Sequence, residues 1–213
     1  MKTDDLVTML ATGAEPVAPA ATARRHGVAL GWGVLAAMLL MLSLLGVRAD
    51  LAAAARLPMF WAKLAFPAAV AAAALVAAMR LSRPGVSLGK VSAGLAAPII
   101  AMWLLAAYAL IGAAPDQRAA LILGKTWYVC PFLIAFLSAP AFGGALWAMR
   151  GLAPTRPALA GGAAGLLAGA IATTVYALHC PEMGAPFVAI WYLLGMSMPA
   201  AAGALLGPRL LRW

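Results

Sequence analysis

An all-α, polytopic membrane protein, built as a bundle of six transmembrane helices with both termini in the cytoplasm, is the expected architecture of this chain, on three grounds. Its 213 residues are 65% hydrophobic and 10% charged, with a mean hydropathy of +0.97, which leaves too little polar surface to coat a water-soluble globule. Six apolar runs, near residues 27–47, 62–79, 92–112, 127–149, 158–178 and 187–206, approach the roughly 20 residues that a helix needs to cross hydrocarbon. Basic residues also divide unequally between alternate loops, and that asymmetry orients a polytopic chain.

The first 26 residues form a tail ahead of this 27–206 membrane domain, and 207–213 form a short second tail. Asp4, Asp5 and Glu15 before an apolar run of full spanning length argue against a cleaved signal peptide. The opening Thr3-Asp4-Asp5-Leu6-Val7-Thr8-Met9-Leu10 has the pattern of a helix start: Thr3 is suited to capping, and Asp4 and Asp5 fall in the first turn, where the helix dipole favours negative charge. Leu6, Val7 and Leu10 then share a face. A segment too short for its own core has three destinations for such a face: a partner's groove, the membrane surface, or disorder, with residues 12–23 as a spacer.

Within the spans, Gly161, Gly165 and Gly169 recur every fourth residue in the fifth run, and Gly203 and Gly207 do so in the sixth. Such stripes let backbones approach closely where lipid supplies no hydrophobic drive. Pro67, Pro98, Pro131, Pro140 and Pro199 fall within or near span interiors, each removing a ladder hydrogen bond and implying a kink. Trp61, Trp127, Tyr128, Trp147 and Trp191 lie toward span ends, as interfacial rings do. No ionisable residue falls near a span centre; Lys63, at an outer end, is expected to snorkel to the headgroups. This pattern weakens a transporter reading, and no catalytic set or phosphate-cradling loop points to an enzyme.

Orientation follows from the basic count. Lys2, Arg24, Arg25, Arg80, Arg83, Lys90, Arg150, Arg156, Arg209 and Arg212 fall on one side, and Arg48, Arg56, Lys63, Arg118 and Lys125 on the other. The richer side, with both termini, is expected to be cytoplasmic. The net charge of +9 is then a topology signal and an attraction to anionic headgroups. Scattered over short loops, it makes no nucleic-acid-binding face.

Two cysteines carry the first specific chemistry. Cys130 lies in Trp127-Tyr128-Val129-Cys130-Pro131 and Cys180 in His179-Cys180-Pro181-Glu182, both toward the outer side. Three readings stay open at this stage. The thiols are small buried hydrophobes, or an oxidising compartment joins them as a disulfide, or they bind a soft metal ion with His179 and Glu182 completing its shell. No resident cofactor is implied, at most a transient heavy-metal ion.

The chain also resembles a known family. Met1-Lys2-Thr3-Asp4-Asp5-Leu6, Phe60-Trp61-Ala62-Lys63, Arg80-Leu81-Ser82-Arg83-Pro84-Gly85, Cys130-Pro131, Trp147-Ala148-Met149-Arg150-Gly151, His179-Cys180-Pro181-Glu182 and Gly207-Pro208-Arg209-Leu210-Leu211-Arg212-Trp213 are similar to the NrsF family of bacterial inner-membrane negative regulators. One departure is Ala49 in Arg48-Ala49-Asp50-Leu51, where the family pattern leads to an expectation of proline. The resemblance implies a multi-pass anti-sigma factor that holds an extracytoplasmic-function sigma factor at the cytoplasmic face. It assigns Cys130 and Cys180 to the response to heavy-metal stress, and Thr3, Asp4, Asp5, Leu6, Val7 and Leu10 to sigma binding. A small metal exporter and a membrane thiol oxidoreductase are the alternatives, the second lacking a paired redox motif.

Overall fold

The computed structural model describes residues 3–12, 21–83, 85–150, 152 and 154–212. Most of the spacer expected over 12–23 lies outside them, as do Lys2 and Trp213. The described chain is helical throughout, with no strand among these residues. A short α1 (Thr3–Thr12) precedes α2 (Ala21–Leu40), which ends in a π-helical turn over Met41–Leu45. Then follow a turn of helix, α3 (Leu51–Ala54), α4 (Pro58–Leu81), α5 (Val91–Gly112), the surface helix α6 (Pro115–Leu123), α7 (Cys130–Met149) and α8 (Pro157–Tyr176). The last membrane-length segment is composite: α9 (Ala185–Phe187), a π-helical stretch over Val188–Tyr192, and α10 (Leu193–Leu210).

Six of these stretches are long and apolar enough to cross a bilayer: Ala23–Leu45, Pro58–Leu81, Val91–Gly112, Cys130–Met149, Pro157–Tyr176 and Ala185–Leu210. Four of the spans and the surface helix α6 start at or just before a proline. Pro58, Pro115, Pro131, Pro157 and Pro186 all sit in a first turn, where the missing N–H would have no partner anyway. Pro131 therefore removes no ladder bond, and the kink expected there does not arise. Pro67, Pro98, Pro140 and Pro199 are interior and leave their helices unbroken. The two π-helical turns were not legible in the sequence; one precedes Gly46, which turns the chain at a φ of 73°.

The bundle is organised around α8, the most enclosed span, which packs against α10, α7 and α4; α5 is the most exposed. The α8–α10 contact is the most extensive, and the glycine stripe explains it. A side-chain carbon built on Gly161 would collide with the Gly203 carbonyl, one on Gly165 with the Pro199 carbonyl, and one on Gly207 with the Pro157 carbonyl. The stripe thus brings backbone against backbone, as expected from its spacing. A second crossing, α2 on α7, uses Gly33, whose added carbon would lie 2.7 Å from Ala141 Cα, and Gly144, 2.9 Å from the Ala29 carbonyl oxygen. Two apolar clusters fill the interior. Met41, Phe66, Val70, Met102, Ile134, Tyr176 and Tyr192 occupy one end, and Leu81, Leu146, Met149, Leu167 and Leu211 the other.

Gly165→Ile should open the α8–α10 crossing and destabilise the fold by about 3 kcal/mol or more, since backbone cannot yield as a side chain does. Gly31→Ala, where nothing lies within 4 Å, should be neutral or stabilising by up to about 1 kcal/mol through helix propensity. Thermal unfolding of the two detergent-solubilised variants checks the contrast.

Candidate functional site

Cys130 opens α7 because Pro131 fixes the first helical φ, and its backbone N–H donates to the Thr126 carbonyl at 3.0 Å. Cys180 ends the helical run of α8 from the other direction. Its N–H donates to the Tyr176 carbonyl at 3.0 Å, and Pro181 then disfavours helical geometry at Cys180 and supplies no donor itself. The chain runs without regular structure to Gly184 before α9 begins. This fold-back lays the irregular segment over the start of α4 and brings Cys180 beside Cys130.

Both thiols are fully buried, unpaired and members of one apolar cluster. They lie within electrostatic range of each other and of the Lys63 ammonium. Tyr176 borders both sulfurs and Tyr192 borders Cys180. The two phenol rings stand 6.1 Å apart, with Phe187 6.5 Å from Tyr192 and His179 5.7 Å from Tyr176. The Tyr192 hydroxyl is buried, with Cys180 as its polar neighbour. It comes from the π-helical stretch, whose extra residue per turn shifts the side-chain register toward the thiols.

Lys63 is the main correction to the sequence reading. It does not snorkel: it is completely buried and donates to the carbonyls of Cys180 at 2.6 Å and Glu182 at 2.8 Å, with its ammonium 5.7 Å from the centre of the Tyr192 ring. The irregular 180–184 segment has carbonyls that no helix satisfies, and a four-carbon stem inside the bundle reaches them. Arg48 reinforces the same point, donating to the Cys180 carbonyl at 3.2 Å and to Met183 Sδ at 3.4 Å. Arg48 also clasps Asp50 through both carboxylate oxygens at 2.7 and 2.8 Å, which holds the Asp50 carboxyl below its ordinary range and raises the guanidinium. The Arg48-Ala49-Asp50 loop is thereby closed without a proline.

The other metal-ligand candidates are engaged elsewhere. His179 Nδ1 pairs with the Gly46 carbonyl oxygen at 2.9 Å. Glu182 accepts from the Lys125 backbone N–H at 2.7 Å and packs against Gly124, whose φ of 57° ends α6. Among the described residues no three His, Cys, Asp or Glu side chains converge. The arrangement therefore offers two buried sulfurs, with the Tyr176 and Tyr192 hydroxyls and the Lys63 ammonium as polar neighbours. Tyr176, Tyr192 and Arg48 were missed in the sequence. Tyr176 alone had a signal, lying four residues before Cys180 and so on its helix face.

At the opposite end of the bundle, Arg25 of α2 donates to the Trp147 carbonyl near the end of α7 at 2.9 Å and stacks 4.6 Å from its ring centre. The tail thus enters on the side away from the thiols. Thr3, Asp4 and Asp5 lie in the first described turn of α1 (Thr3–Thr12). No residue of α1 is buried; Leu6, Val7, Met9 and Leu10 are all exposed.

A family model described as NrsF, negative regulator of sigma F, matches residues 10–213. A protein of Azospira oryzae (strain ATCC BAA-33 / DSM 13638 / PS) named "Probable anti-sigma-F factor NrsF" is 56% identical over 213 residues, with 100% of each chain covered. The "Anti-sigma-F factor NrsF" of Caulobacter vibrioides (strain NA1000 / CB15N) is 42% identical over 224 residues, again with 100% of each chain covered. Both are named as regulatory proteins and not as enzymes. No solved structure matches the chain. The match over nearly the whole length places this chain in the NrsF family of negative regulators of sigma F.

Proposed function

We propose that the protein is an inner-membrane anti-sigma factor. It keeps an extracytoplasmic-function sigma factor bound at the cytoplasmic face through α1, and it releases that factor when a heavy-metal ion or an oxidant reaches Cys130 and Cys180 on the periplasmic side. Six span-length apolar helices and the excess of basic residues on the tail's side support the orientation. The names of the two full-length relatives support sigma F as the class of partner.

The observation that carries the sensing half is the meeting of Cys130 and Cys180 in one buried cluster. The two sulfurs come from the first residue of α7 and from just beyond the end of α8, helices that pack on each other and that both meet α10 at its glycines. Ligation of a thiophilic ion displaces both thiol protons; oxidation to a disulfide removes two protons and two electrons. Either event fixes the separation of the two helix ends. Such cores switch between discrete packings more readily than they deform continuously. Inverting a two-state population from 1:99 to 99:1 takes about 5.5 kcal/mol of differential binding, and apparent binding energies at good thiolate sites reach about 10 kcal/mol or more.

The tail has the chemistry of a gripping helix. Leu6, Val7 and Leu10 provide exposed apolar anchors at helical spacing, and Thr3, Asp4 and Asp5 put an acidic first turn beside them. The family model begins at residue 10, whereas the two relatives align over the whole chain, so the tail is matched at the level of these relatives.

Replacing Cys130 and Cys180 together with Ser should leave repression of a sigma-dependent reporter intact and abolish its induction by cadmium or chromate. Normal induction in that variant would refute thiol sensing. Leu6→Asp with Leu10→Asp should free the sigma factor without stress. Burying two leucines contributes roughly 3 kcal/mol or more, so affinity should fall at least about a hundredfold. Co-purification of the intact protein with the sigma factor checks this, and retained binding would move the contact to the loops.

A further inference from the structure

The bundle end remote from the thiols contains a basic cleft that plays no part in the regulatory reading above. Its floor is Val76 and Met79, near the end of α4, and its rim is Arg80, Arg83, Val86 and Ser87; the open cleft has a volume of about 480 Å³. A narrower recess of about 140 Å³ adjoins it, sharing Arg83 and adding Thr155 and Arg156 from the segment before α8. The loop that walls the cleft is fixed in place. Gly85 and Gly89 turn the chain at φ values of 74° and 52°, and Arg80 donates to the carbonyls of Ser87 at 3.4 Å and Leu88 at 3.1 Å.

The guanidinium groups do not share one job. Arg80 is occupied by the loop, while Arg83 and Arg156 are exposed and have no side-chain hydrogen bond or carboxylate partner among the described residues. Among the described residues no carboxylate lines either cavity. Two free guanidinium groups on facing segments are a fork-shaped set of donors for a phosphate.

The floor identifies what carries that phosphate. Val76 is 43% exposed although it lies inside a span-length apolar helix, one turn short of Arg80. The cleft therefore runs continuously from a lipid-facing helix surface to a cationic rim. An acidic peptide matches the rim alone, because its backbone, laid over Val76 and Met79, would lose water without gaining hydrogen-bond partners. An amphiphile matches both parts.

We propose that this cleft binds an anionic phospholipid, its phosphate held by Arg83 and Arg156 and the first carbons of its acyl chains lying over Val76 and Met79. The site stands independently of the anti-sigma reading and needs no sigma factor for its test. The basic loops at this end are then more than a topology signal, because two of their arginines form a specific headgroup seat.

The test uses the full chain in neutral detergent, with phosphatidylglycerol, phosphatidylcholine and inorganic phosphate as separate probes. Thermal unfolding and native mass spectrometry read binding. Phosphatidylglycerol should raise the midpoint saturably and remain as a bound adduct, and neither of the other probes should do so. Arg83→Gln with Arg156→Gln should keep the lipid-free midpoint, since neither side chain has a protein partner. It should weaken phosphatidylglycerol binding roughly thirtyfold, at about 1 kcal/mol per arginine. Val76→Trp, which fills the floor and leaves the charges, should weaken it as well. Equal stabilisation by phosphatidylcholine, an unchanged phosphatidylglycerol affinity in the double variant, or an equal shift with inorganic phosphate would each overturn the proposal. Stabilisation by a hexaglutamate peptide without any by phosphatidylglycerol would overturn it in favour of a protein partner.

Discussion

A buried backbone carbonyl without a donor costs about 1–3 kcal/mol, and the fold-back from Cys180 to Gly184, between two span-length helices, meets that constraint without a helix. The cations of Lys63 and Arg48 converge on the Cys180 carbonyl, and Lys63 takes the Glu182 carbonyl as well. The pairing of the thiols follows from that anchorage. Cys180 sits where these donors pin its carbonyl, and Cys130 sits at the first residue of a helix started by proline. Backbone satisfaction thus sets the geometry of the candidate site, and the side chains then supply its chemistry.

The same constraint shapes the body of the bundle in a different way. Six helices satisfy their own backbones, so they associate through close packing and not through burial of apolar surface from water. Glycine is what allows α8 and α10 to meet at backbone distance, and α8 becomes the shared wall for α4, α7 and α10. Along the α8–α10 seam backbone meets backbone, so that contact has little room to adjust.

Much of this was readable in the residues. The helical class, six span-length runs and the two glycine stripes follow from apolar run length and four-residue spacing, which are local properties, whereas the meeting of those stripes in the α8–α10 contact does not. The tail's amphipathic helix was readable for the same reason. Tyr192 was not: its place beside Cys180 depends on a π-helical register shift, and no residue pattern in Val188–Tyr192 announces one. Lys63 was misread because a lysine near a span end has two outlets of comparable reach, the headgroups or an interior acceptor. The choice rests on whether unsatisfied carbonyls lie within the length of its stem.

Composition, run length and spacing determined by themselves that this chain is helical and lipid-compatible, with glycine-striped helices and two cysteines near helix ends, since each of these depends on neighbours within a turn or two. Tertiary structure decided which groups share the thiol cluster. Cys130, Cys180, Lys63, Tyr176 and Tyr192 meet there, while His179 turns to Gly46 and Glu182 to Lys125. These partners come from segments tens of residues apart, and the hydrogen-bond demand of a loop folded back over a buried helix end sorts them.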